Sequence, residues 1–179
     1  MTTIGLFAPL EGADGWALLC KAHEHNVRVL PWSGTVWGKA SRIAEPYITE
    51  RSAEEGEDGY SKGDASGIFN DKAKLKRIAK DSAEFVAAAG LDGILLDAES
   101  FRNATIRDGL TYWISQLRAE LDVALPGALL TWTTDPNAAS WYNETWQHTE
   151  KDYKLKLAYD YAAIAPHLDF FQPIRNRLL

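Results

Sequence analysis

Two carboxylates, Asp97 and Glu99, stand two residues apart in the run Leu91-Asp-Gly-Ile-Leu-Leu-Asp-Ala-Glu99. The apolar residues around them read as a strand. Strand side chains alternate between faces, so both acids point the same way, about 6–7 Å apart along the backbone. Unpaired charge is costly in a low-dielectric interior, and a buried strand seldom carries two acids on one face. Carboxyls this close oppose each other's ionisation, and one tends to keep its proton. A carboxyl still protonated near neutral pH is a general acid. The same spacing also fits two surface acids at a strand end, acting as caps or in salt bridges. Asp92 falls on the opposite face by parity, so it is expected to support the start of the strand rather than the chemistry.

The rest of the chain must hold that strand in place. Ile4 to Ala8 reads as a short strand. Trp16, Leu19, Cys20 and His23 recur at helical spacing, which predicts a helix from Gly15 to Asn26. Val27 to Trp32 is the next strand, and the polar stretch from Ser52 to Ser66 reads as a solvated insertion. Asp71 can cap a helix that runs to Ala89, with Leu75, Ile78, Phe85 and Val86 on its buried side and Gly90 ending it. The acidic strand, Gly93 to Asp97, follows. Asp108 to Ala124 places Leu110, Ile114, Leu117 and Leu121 in helical register before Pro126-Gly127. Ala128 to Thr133 is a strand, Tyr153 to Ala163 a helix and Leu168 to Gln172 a last short strand. This alternation implies a parallel sheet with right-handed crossovers. An open doubly wound sheet and a barrel both satisfy it. Without a repeat or linker, residues 1–179 read as a single domain.

Composition narrows the function classes. A net charge of −6 leaves no basic footprint for nucleic acid. The single cysteine, Cys20, rules out an intrachain disulfide, and its apolar helical face predicts a buried thiol. No apolar run is long enough to cross a bilayer, and no secretory signal follows Met1, so the chain taken literally is cytosolic. His23 and His25 lie two apart on a helix and do not face each other. With His148 and His167 elsewhere, no metal-ligand spacing emerges. Nor is there a glycine-rich phosphate loop, or a serine or cysteine in a nucleophile motif; no cofactor is expected. Among the seven tryptophans, Trp16 and Trp113 sit in helical patterns and are expected in the core.

The acidic run resembles the signature Asp-Gly-x-x-x-Asp-x-Glu of glycoside hydrolase family 18, the chitinases and relatives, through Asp92, Gly93, Asp97 and Glu99. Two further stretches are similar to the chitobiase branch of that family. The first is Thr2-Thr-Ile-Gly-Leu-Phe7 with Leu18-Leu-Cys-Lys-Ala-His23 and Val27-Arg-Val-Leu30. The second is Asp160-Tyr-Ala-Ala-Ile-Ala165 with Asp169-Phe-Phe171. The resemblance implies an α/β fold, a partial TIM-type (β/α)8 barrel whose five parallel strands correspond to strands two to six. The first strand would then precede Met1 and the last two would follow Leu179, making this an incomplete catalytic domain. The likeness stops near Ile174.

By the same resemblance Glu99 is the general acid, and the mechanism is substrate-assisted, with the sugar's own acetamido oxygen attacking the anomeric carbon. Asp97 holds that acetamido group and balances the positive charge of the intermediate. Gly93 allows close packing at the barrel floor. Trp32 and Trp132, at strand ends, are candidates for a sugar cleft. Asp135 and Gln172 are candidates for contacts with sugar hydroxyls, although Asp135 also fits a turn before Pro136. The implied ligands are chitin oligosaccharides or N-glycan core sugars, with no metal, and the implied location is lysosomal or secreted. The sequons at Asn103 and Asn143 would suit a glycoprotein. Two departures favour an alternative, a chitinase-like protein that binds sugar without catalysis. Leu95 stands below Asp97 where the family usually has Asp or Asn, and would desolvate Asp97 and raise its pKa. The family's sixth-strand tyrosine falls near Asn176, so it is absent.

Overall fold

A computed structural model describes residues 2–6, 12–34, 69–97, 107–134 and 159–173. Five parallel strands form one sheet in the order β1-β2-β3-β4-β5. They are β1 (Thr2–Leu6), β2 (Val27–Gly34), β3 (Gly93–Asp97), β4 (Leu129–Thr134) and β5 (Phe170–Pro173). Each strand pairs with the next one in sequence. Right-handed crossovers combined with an order that never reverses send every connection over the same face. A doubly wound sheet reverses its order at a switch point. The sheet is therefore singly wound, and the two architectures left open by the sequence resolve to a partial TIM-type barrel.

The helices are α1 (Gly12–Glu24), α2 (Lys72–Ala88), α3 (Arg107–Ala124) and the short α4 (Tyr161–Ile164), which continues into a 3-10 turn at Ala165–His167. Asp71 caps α2: its Oδ1 accepts from the Lys74 N–H at 2.9 Å. Such a cap is worth about 1 kcal/mol. Gly90, at φ 65°, ends the helix. The Gly90 and Leu91 N–H groups there return to the carbonyls of Ala87 and Val86 at 3.2 and 3.1 Å. Leu110, Ile114, Leu117 and Leu121 of α3 are all buried, as their spacing predicts, and so is Trp113. Helices α2 and α3 pack side by side.

Alternate residues of the central strands feed two layers. Val29, Ile94, Leu96, Leu130 and Trp132 share the helix-side core. Leu30, Leu95, Thr131 and Thr133 are buried outside that core, on the other face. A strand buried on both faces reads as an unbroken apolar run, as Ile94-Leu-Leu96 does.

Three burial expectations fail, for one geometric reason. Trp16 is 48% exposed, Phe85 is 43% exposed, and Cys20 is exposed. The buried direction of α1 bisects Leu19 and Ala22. At about 100° per residue, Trp16 falls roughly 90° and Cys20 roughly 130° away from it. In α2 the buried stripe centres on Leu75, Ala79, Ser82 and Val86, with Phe85 about 90° to one side. An apolar stripe read from sequence is broader than the face the sheet covers. The final helix was expected over 153–163; of that range, residues 153–158 lie outside the described residues.

Candidate active site

The N-terminal end of β3 is held by one carboxylate. Asp92 Oδ2 accepts from the Val29 N–H of β2 and lies against His23 Nε2 of α1, both at 2.8 Å. The Asp92 N–H donates to Val29 O at 3.0 Å, and its carbonyl accepts from Leu129 of β4 at 2.9 Å. One residue thus ties three strands and a helix together. Asp92→Ala strips the Val29 N–H and His23 of their acceptor, and is expected to lower unfolding free energy by about 2–3 kcal/mol. Urea denaturation measures this, and Asp92→Asn, which keeps an acceptor oxygen, should lose less.

Asp169 repeats the device before β5. Its Oδ2 accepts from the Leu130 N–H at 2.7 Å and from Arg118 at 3.3 Å, and its N–H donates to Leu130 O at 2.9 Å. Arg118 also reaches Asp122 and, at 3.1 Å, the Ala128 carbonyl. Sequence reasoning assigned Asp169 no role. A signal was present: Leu91-Asp92 and Leu168-Asp169 both stand directly before an apolar strand. In each case the side chain takes an N–H from the preceding strand.

Gly93 begins β3 at φ 148°. A Cβ there would stand 2.0 Å from Leu129 O and 2.6 Å from Leu129 N. Only glycine lets β4 approach this closely. The two strands then run in register, with Gly93 opposite Leu129, Leu95 opposite Thr131 and Leu96 opposite Trp132. On the other side Trp32 is opposite Leu95, and Gly34 is opposite Asp97.

Towards the C-terminal end, the face opposite the helices changes character. Leu95 is 1% exposed. Beside it on β4, Thr131 is buried with a hydroxyl that has no hydrogen-bond partner. One rung higher, the Thr133 hydroxyl donates to Leu96 O at 3.1 Å. Gln172 of β5 is opposite Thr133 and exposed. Continuing the β3–β4 register puts position 97 level with Thr133. Positions 34, 97, 133 and 172 therefore form one rung at the end of the sheet where βα barrels place their chemistry.

Glu99 and Asp135 lie outside the described residues. For Asp97 and Trp32 the description extends to strand and register. Trp132 is a correction. It is 1% exposed, in the helix-side core, with its ring 5.7 Å from Tyr159 and 6.4 Å from Tyr161. Thr131 and Thr133 occupy the opposite face, so parity turns position 132 towards the helices and away from any sugar cleft. The Thr-Trp-Thr alternation carried that signal. Among the described residues, no three His, Cys, Asp or Glu side chains group as a metal site.

No protein-family model and no curated protein matches the sequence. Solved structures do match. A class V chitinase from Pseudomonas fluorescens superposes with a TM-score of 0.63 at 16% identity, over 97% of this chain and 46% of that one. A protein assigned as a sporulation-specific glycosylase from Bacillus subtilis gives 0.65 at 17% identity, over 98% and 51%. An endo-β-N-acetylglucosaminidase from Cordyceps militaris gives 0.55 at 17% identity, over 96% and 46%. At such identities the likeness establishes the fold, a partial TIM-type barrel. The chain spans about half the length of these structures.

Proposed function

We propose that this chain is a chitinase-like glycoside hydrolase that cleaves β-1,4-N-acetylglucosamine linkages by a substrate-assisted, retaining mechanism. The observation that carries the reading is the place of β3. It is the middle strand of a singly wound sheet, and its Asp-x-Glu run begins at the C-terminal end. The neighbours support the same chemistry. The Cordyceps enzyme was also solved with an aspartate and a glutamate, two residues apart, replaced by their amides, in complex with fucosyl-N-acetylglucosamine-Asn. A chitinase domain from Ostrinia furnacalis was solved with a chitooligosaccharide.

In this reading the acetamido oxygen of the bound sugar attacks C1 while Glu99 gives its proton to the departing glycosidic oxygen. The C1–O bond breaks, leaving a cyclic oxazolinium ion. Asp97 orients the acetamido N–H and balances the new positive charge. The Glu99 carboxylate then takes a proton from water as that water attacks C1 and reopens the ring. Two inversions give net retention. Trp32 is the stacking candidate, with Gln172 and Asp135 as contacts for sugar hydroxyls. The ligands are chitin oligosaccharides or N-glycan core sugars.

One observation favours a second reading, sugar binding without turnover: apolar Leu95 is fully packed below position 97. A chromogenic di-N-acetylchitobioside separates the two. Turnover supports the hydrolase, whereas oligosaccharide binding without turnover supports the binding protein.

A further inference from the structure

We infer that the N-terminal half of α2 is a docking surface for a glycan strand that carries carboxylates; this rests on the hydrolase reading of the neighbouring strand end and names the substrate class that end would take. Helix α2 carries five basic side chains, Lys72, Lys74, Lys76, Arg77 and Lys80, all within its first nine residues. Its two acids, Asp81 and Glu84, come after them. The helix dipole has its positive end here, where acids are favoured and cations are not. Folding of α2 therefore gains nothing from this order of charge, and its cap, Asp71, already satisfies the Lys74 N–H. Sequences that break a local rule without a structural return do so chiefly at functional sites. The whole chain has a net charge of −6, so this basic half-helix is a local exception.

Connectivity places this half beside the site. Helix α2 ends at Ala88 and β3 begins at Gly93, so the helix C-terminus lies by the start of the strand. Its 17 residues run back about 25 Å, whereas the 5 residues of β3 rise about 17 Å. Lys72 to Lys80 thus flank the C-terminal end of the sheet. Lys72, Lys76 and Lys80 form one i, i+4 row about 12 Å long. Arg77 lies beside it, and all four are exposed. The Lys72 ammonium stands 5.3 Å from the centroid of the Tyr112 ring on α3, and Lys80 faces Glu84 at 3.7 Å. An exposed pair of that kind is weak and exchanges readily for another carboxylate. Lys74 and Arg77 hold contacts of their own and add to the positive field. A row one helix wide suits a single narrow strand. A nucleic-acid duplex or a membrane is broader and would also meet the acidic remainder of the chain. A glycan leaving the end of β3 can follow the row, and the clustered charge raises its local concentration there.

The test uses the whole chain and two immobilised polymers, carboxymethyl chitin and neutral glycol chitin. The inference expects the wild-type chain to bind the carboxymethyl polymer about tenfold more tightly at low salt. That preference should vanish in about 1 M salt, where the screening length falls to about 3 Å. Lys72→Gln, Lys76→Gln and Lys80→Gln made together should bring the two affinities to parity, and the corresponding triple arginine variant should keep the preference. Equal wild-type affinity for both polymers, a preference untouched by salt, or one retained by the glutamine variant overturns the inference. Equally tight binding of double-stranded DNA overturns it too, since the row would then select any polyanion. The salt comparison needs no variant, so it decides the matter even if a variant fails to fold. Release of reducing ends tests the hydrolase reading separately. Preference without cleavage of either polymer upholds the surface and removes the hydrolase, and cleavage of both without preference does the reverse.

Discussion

Glu99→Gln is expected to lower turnover of an N-acetylchitooligosaccharide by about a hundred- to ten-thousandfold. Glutamine keeps the shape of the side chain and can still hydrogen-bond the glycosidic oxygen. It has no proton to transfer, so the leaving group departs as an alkoxide. Positioned general acids contribute about 10²- to 10⁴-fold, and the loss should fall in that range. Because the defect is confined to the transition state, KM and oligosaccharide affinity should barely move. Initial rates paired with calorimetric binding check this. A comparable loss of binding would mean that Glu99 serves the ground state, and parental turnover in the variant would remove it from the mechanism.

Gly93→Ala is expected to be strongly destabilising for a change of one methyl group. The new Cβ would meet Leu129 O at 2.0 Å, Leu129 N at 2.6 Å and Leu129 C at 2.7 Å. All three are backbone atoms of the paired strand, so no side chain can swing aside to relieve the clash. A residue forced into this region of positive φ adds about 1–3 kcal/mol of strain. Separating β3 from β4 would also weaken the ladder that begins at this pair. A loss of about 4 kcal/mol or more is expected, a large share of a typical domain's 5–15 kcal/mol. Denaturant unfolding, or failure to recover folded chain, is the readout. A loss under about 1 kcal/mol would mean that β4 stands farther from β3 than this geometry allows.

The second prediction concerns a strand that sequence patterning located well, β3 (Gly93–Asp97). An apolar run flanked by Gly93 and Asp97 has few alternatives, and α2 and α3 carried their buried faces at regular spacing over four turns or more. Topology was legible only as far as strand–helix alternation, which a barrel and an open sheet share. It took the unreversed strand order to separate them. Helix α1 was legible as a helix but not in its rotation. Apolar residues at 16, 18, 19 and 20 surround much of its circumference, and only the packed sheet selects Leu19 and Ala22 as the buried pair. Trp132 shows the opposite case. Its parity with respect to Thr131 and Thr133 was written in the strand, yet aromatic chemistry suggested a cleft.

The site itself divides in the same way. Asp97 and Glu99 stand out in the sequence as two acids two residues apart beside an apolar run, a spacing that surface caps also produce; Asp97 ends β3, and Glu99 lies outside the described residues. Asp169 does not stand out, because its significance lies in partners distant in sequence. Asp169 matters through Leu130 and Arg118, whereas the buried Thr131 hydroxyl has no hydrogen-bond partner. A short polar side chain beside an apolar strand has many roles, and only register chooses among them.

Participation of the sugar's own acetamido group leaves a stereochemical record. Proton NMR of the wild-type chain hydrolysing an N-acetylchitooligosaccharide, read before mutarotation, identifies the anomer released first. Net retention at a β-1,4 linkage predicts the β-anomer, formed by the wild-type chain and missing with Glu99→Gln. First release of the α-anomer, or no cleavage by the wild-type chain, would contradict a proton-donating Glu99 working beside an acetamide-holding Asp97.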